Sequence, residues 1–224
     1  LINLVFAVII FRRRQGRRYN VYYSLVVFFI ATWSFGLGMF YFGPQMENIR
    51  FWVNITDFSG SLIATFFLLF SFKFHAEKNI MPERVILILL PTFVVGYLLF
   101  FTNAINQNVI ISGPGIVYGL YSFIFFGHFA IYMIAAFYNL FRLKRGTIGV
   151  VNLQMNYIIY GTIFTTIFAG FASMTLPVVF HNFTFMHMGP YFTIVMVCLF
   201  LYAMCRYEYS WDFLARFNKA SGFV

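Results

Sequence analysis

Of the chain's 224 residues, 62% are hydrophobic and 9% charged, against roughly 45–50% and about 25% in soluble domains, which excludes water as its main solvent. This length holds six or seven membrane spans of roughly 20 residues with short loops, and no large soluble domain. The formal charge of +9 has to be explained by where the basic residues fall along such spans.

Seven apolar stretches follow one another. The first, 1–11, is about half a span. The basic cluster Arg12-Arg13-Arg14 follows it, where a signal peptide would carry a small-residue cleavage site, so it reads as the inner half of a truncated first helix. The others are 20–42, 50–72, 84–102, 116–141, 153–179 and 188–205. They are apolar throughout or polar only at helical spacing, whereas barrel strands alternate apolar and polar residues. The expected fold is therefore all-α, an integral membrane seven-helix bundle over 1–205 with a juxtamembrane tail over 206–224. Gly113-Pro114-Gly115 marks a turn just before the fifth helix.

Lys and Arg stay on the cytoplasmic side of short loops. Arg12, Arg13, Arg14, Arg17 and Arg18 follow helix 1; Lys73, Lys78 and Arg84 flank the next loop but one; Arg142, Lys144 and Arg145 follow helix 5; Arg206, Arg216 and Lys219 follow helix 7. These are alternate loops, and only Arg50 falls on the other side. An N-out, C-in orientation is expected. The positive charge is thus a topology signal, and nucleic acid is not an expected partner.

Cys198 and Cys205 lie seven residues apart in one helix, roughly 10 Å along its axis, too far to pair. No Cys/His spacing suits a metal, and no cofactor is expected. Hydrolase elbows, phosphate loops and acid pairs are missing, so this stretch is not expected to be an enzyme. A retinal photoreceptor needs a lysine in helix 7, and 188–205 has none.

Asp57 is the only carboxylate expected within the membrane, where an ionised group needs a partner or water. Asn54, Gly60, Ser61 and Ala64 share its helical face. In helix 5, Tyr118, Tyr121, Phe125, His128, Tyr132, Ala135 and Asn139 recur at spacings of three and four, a buried seam with one titratable ring. The expected ligand contacts are Asp57, Asn54, Ser61, Tyr121, His128 and Tyr132; the competing reading is interhelical hydrogen bonding alone. Gly161, Thr162, Thr165, Thr166, Ala169, Gly170, Ala172 and Ser173 make helix 6 rich in small residues, which by default serve close packing.

Across most of its length the chain resembles the N-terminal seven-transmembrane region of bacterial and archaeal sensor histidine kinases. The likeness is carried by Asn20, Trp33-Ser34 and Gly36 in helix 2, Trp52 and Gly60 in helix 3, and Gly113-Pro114 before helix 5. Gly161, Pro177 and Pro190 continue it, with the exit Arg206-Tyr207-Glu208-Tyr209-Ser210-Trp211-Asp212. The resemblance implies a membrane-embedded input domain, in the plasma membrane of a bacterium or archaeon, that senses something at or in the membrane; a small or lipophilic signal is the expected ligand. It implies transmission through helix 7 and Arg206, Tyr207, Trp211 and Asp212 to a cytoplasmic output module beyond Val224, and a homodimer formed through that module. Kinase activity would belong to the module. A small transporter or channel is the alternative; it would call for a repeat and broken helices meeting at midplane.

Overall fold

The computed structural model describes residues 2–12, 19–42, 48–74, 81–110 and 115–203. Helices α1 (Ile2–Arg12), α2 (Tyr19–Phe42), α3 (Ile49–Lys73) and α4 (Pro82–Phe101) come first. A hairpin of β1 (Asn106–Ile110) and β2 (Gly115–Tyr118) follows, then α5 (Ser122–Arg145) and α6. Helix α6 runs as Gly149–Gly170, a π turn Phe171–Thr175 and a last turn Leu176–Phe180. Helix α7 (Met186–Ala203) opens on the 3-10 turn Met186–Met188. Six helices, α2 to α7, are long and apolar enough to cross a bilayer; α1, of 11 residues, is shorter than a span.

Helix α3 is the axis of the bundle. It packs most extensively on α2 and α5 and also on α4. It is the most buried of the six spans, and its buried residues include Asn54, Thr56, Asp57, Ser59, Ser61, Thr65 and Ser71 beside Phe67, Leu69 and Phe70. Most polar groups in such a helix are hydrogen-bonded. Ser71 and Thr65 bond back to the carbonyls of Leu68 and Ser61, and Asn139 of α5 reaches the Ser71 hydroxyl at 3.2 Å. By contrast α4 shows Ile86, Leu87, Leu90, Phe93, Tyr97 and Phe101 on its surface. In water such a face would drive aggregation; in hydrocarbon it is the natural outside of the bundle.

An aromatic cluster closes the end of the bundle where α2 begins and α3 ends. Tyr23 stacks on Phe200 of α7 with ring centroids 3.3 Å apart, and Phe70 lies edge-on to Phe200 at 5.7 Å. Tyr19 meets Phe74 at 5.2 Å. The last turns of α1, α3 and α5 carry Arg12, Lys73, Arg142, Lys144 and Arg145. This is the basic end; the hairpin lies at the other.

The hairpin corrects the expectation of a fifth helix starting at residue 116. Asn106 pairs with Tyr118, Val109 with Ile116 and Ile110 with Gly115, with a bulge between Asn106 and Asn108. β-branched residues on both sides of a glycine-rich turn favour strands over a helix start. Gly119 N–H donates to the Ile105 carbonyl at 2.5 Å, and a Cβ at 119 would collide with the Ala104 carbonyl. Helix α5 therefore starts only at Ser122.

At the same end α6 loosens before it stops. The Leu176 N–H reaches back five residues to Phe171, and Pro177 contributes no N–H to the next turn. His181 then adopts a left-handed conformation with φ 52°, its N–H on the Leu176 carbonyl, and ends the helix. The Tyr41 hydroxyl donates to the Phe183 carbonyl, tying the α6–α7 connection to α2.

Candidate functional site

Asp57 is buried, and the group that meets it comes from the hairpin. Asn106 Nδ2 donates to Asp57 Oδ2 at 2.8 Å and to Asn54 Oδ1 at 3.1 Å. Asn54 Nδ2 donates to the Leu99 carbonyl at 2.7 Å. The Asn106 carbonyl accepts Arg50 Nη2 at 3.1 Å, and the same Arg50 nitrogen reaches the Thr102 carbonyl at 2.9 Å. The hairpin is thus stitched to α3 and α4 at the level of Asp57. Asp57 makes one hydrogen bond, through Oδ2, and has no ion-pair partner among the described residues. Beside it, burial first and the Asp57 charge second raise the Tyr118 phenol above the ordinary tyrosine range.

Asp57 also lines a cavity of about 90 Å³ between α2, α3, α5, α6 and α7, several times the space one water needs. Trp33, Phe67, Phe125 and Phe129 supply aromatic walls; Thr162, Thr165, Thr166 and Ser173 of α6 form its polar side. Met133, Met174, Met186 and Met196 complete it. Thioether side chains fit irregular contents without a fixed shape. Gly189 of α7 lies so close to the π turn that a Cβ there would collide with Ser173 Oγ and the Trp33 ring.

His128 belongs to a second, separate network. Its Nε2 lies 3.2 Å from Thr92 Oγ1 of α4, which lies 2.7 Å from Thr65 Oγ1 of α3. Tyr132, with its ring 4.1 Å from the His128 ring, donates to the Ile88 carbonyl of α4 at 2.8 Å. His128 Nδ1 is buried without a hydrogen-bond partner among the described residues. Helix α5 does pack on α3, but these side chains turn toward α4.

Of the six residues expected to contact a ligand, Asp57 lines the cavity. Asn54 stands behind it, holding Asn106 to Leu99. Ser61 is buried, its hydroxyl without a hydrogen-bond partner among the described residues, and lies off the cavity wall, as do His128 and Tyr132. Tyr121 precedes α5 and is 48% exposed, because the hairpin ends the helical seam on which it was placed. Arg206, Tyr207, Trp211 and Asp212 fall outside the described residues. Sequence reasoning noticed the threonine-rich face of α6 but read it as packing. It missed the four methionines, which come from distant positions and converge only in the fold.

Six helices able to cross a bilayer, packed around a cavity with a buried carboxylate on its wall, define a multi-pass α-helical membrane protein. No curated protein and no solved structure matches the chain. Residues 1–209 match the model of the family described as the N-terminal 7TM region of histidine kinase, and the chain belongs to that family. It is accordingly a membrane sensory region of the histidine-kinase type, and the match falls on the sensor part, not on a catalytic kinase domain.

Proposed function

We propose that the cavity beside Asp57 is the signal site, and that a small or lipophilic signal bound there shifts the packing of α5, α6 and α7. The observation that carries this reading is that one cavity touches both the π turn of α6, through Ser173 and Met174, and α7, through Met186, Thr193 and Met196. An interruption of the regular helix ladder is a common mark of functional segments. A bound molecule can bias two packings only by contacting them differently, and contacts to two neighbouring helices meet that requirement.

Helix α7 leads to Arg206, Tyr207, Trp211 and Asp212. In this reading these residues hand the shift to a cytoplasmic output module, and the module pairs two copies of the protein. The basic end then faces the cytoplasm and the hairpin the outside of the plasma membrane, as the loop charges require.

The test is Asp57→Asn in the full-length protein in its native membrane, read as autophosphorylation. Basal output or signal response should change by about five-fold or more, the lower range of allosteric couplings, with membrane insertion unchanged. Unchanged output and response would remove Asp57 from signalling. A reporter fused after Val224 that is active only outside the cell would overturn the orientation.

A further inference from the structure

The hydroxyl groups on the cavity wall do more than add polarity; their hydrogens are already committed. Thr56 donates to the Trp52 carbonyl at 2.8 Å, Thr162 to Ile158 at 2.8 Å and Thr165 to Phe192 at 2.9 Å. Ser173 donates to Met186 at 3.1 Å and Thr193 to Pro190 at 2.6 Å. A hydroxyl has one hydrogen to give, so these five side chains can offer the cavity only lone pairs. The methionine sulfurs are weak acceptors as well. The donors left on the wall are the Thr166 hydroxyl, the Tyr118 phenol and the Trp33 indole N–H. Acceptors thus outnumber donors on the wall, which favours an occupant that brings hydrogens of its own.

Charge points the same way. Asp57 has a single amide donor and no cation partner among the described residues, and a carboxylate at this depth calls for a counter-charge. Arg50 lies two helical turns away and is engaged with the carbonyls of Thr102 and Asn106. Aromatic side chains make up much of the cavity wall: Trp33, Phe67, Tyr118, Phe125, Phe126 and Phe129. Aromatic faces attract cations more strongly than neutral donors. An anion would meet the Asp57 carboxylate, hydroxyls that offer it only lone pairs and the negative faces of these rings, with the Thr166, Tyr118 and Trp33 donors alone in its favour.

We propose that the cavity takes a small organic cation, a protonated amine on an apolar body, with its ammonium on Asp57 and its body among the aromatic and methionine side chains. This rests on the reading of the cavity as the signal site and adds to it the chemical class of the signal. The ammonium donates to Asp57 and to the spare lone pairs of the threonines.

Three probes of matched size, small enough for the cavity, test it on the 224-residue chain in nanodiscs at neutral pH: propylamine, which is protonated there, uncharged propanol, and anionic propionate. Titration calorimetry should show propylamine binding at least ten-fold tighter than propanol, with no detectable propionate. Asp57→Asn should bring the amine down to the affinity of the alcohol, and Ala169→Leu, which fills the cavity, should abolish binding of both. The amine preference of the unmodified chain decides the matter even if a variant fails to insert. Equal affinity for amine and alcohol, or no binding of any probe, overturns the proposal. Equal binding that Ala169→Leu removes leaves the cavity standing as the signal site, and that reading is judged separately by the autophosphorylation response of Asp57→Asn.

Discussion

Asn106→Ala is the sharpest probe of how the hairpin holds α3. The substitution removes the donations to Asp57 Oδ2 at 2.8 Å and Asn54 Oδ1 at 3.1 Å. It keeps the main-chain carbonyl that accepts Arg50. A hydrogen bond to a charged acceptor contributes about 1.5–3 kcal/mol and one to a neutral acceptor about 0.5–1.5. Against this stands Asn106 Oδ1, which is buried without a partner among the described residues and whose removal returns about 1 kcal/mol or more. The net loss should be about 1–3 kcal/mol. Equilibrium unfolding in mixed micelles, followed by tryptophan fluorescence, measures it. A cycle with Asp57→Asn and the double variant should give a coupling of about 1–2 kcal/mol, since contacting residues do not behave additively. A loss within about 0.5 kcal/mol, the range of an indifferent surface change, would refute the stitched hairpin.

Gly189→Ala places a Cβ against Ser173 and Trp33 and should cost about 1–3 kcal/mol by overpacking; Gly38→Ala, with open space around it, should be neutral or slightly stabilising in the same unfolding assay. Thr92→Val cuts the link between Thr65 and His128 and should cost about 0.6–1.7 kcal/mol, the usual scale of interhelical hydrogen bonds. Because that network faces away from the cavity, probe affinity measured by calorimetry should stay as in the parent chain. Tyr41→Phe loses the bond to the Phe183 carbonyl; hydrogen exchange should rise over residues 182–188 and remain unchanged at the basic end.

Continuous apolar runs longer than a bilayer is thick can satisfy their backbone only as helices, so the number and order of the spans were readable from composition and length alone. Asp57 was legible for a related reason: a lone carboxylate in such a run has to face the interior. The hairpin was not legible, because Gly115–Tyr118 is as apolar as the helix that follows, and only its pairing with Asn106–Ile110 tells strand from helix. His128 and Asp57 looked like partners in one pocket, yet side-chain direction on packed helices sends one to Thr92 and the other to Asn106. The cavity itself belongs to the tertiary structure. Its methionines lie on α5, the π turn, the 3-10 turn and α7, and Thr165 and Ser173 spend their hydrogens on carbonyls of α7 that reach them only after folding. Local sequence dictates what each segment must bury, whereas the shape and hydrogen-bonding character of a cavity depend on which buried faces meet.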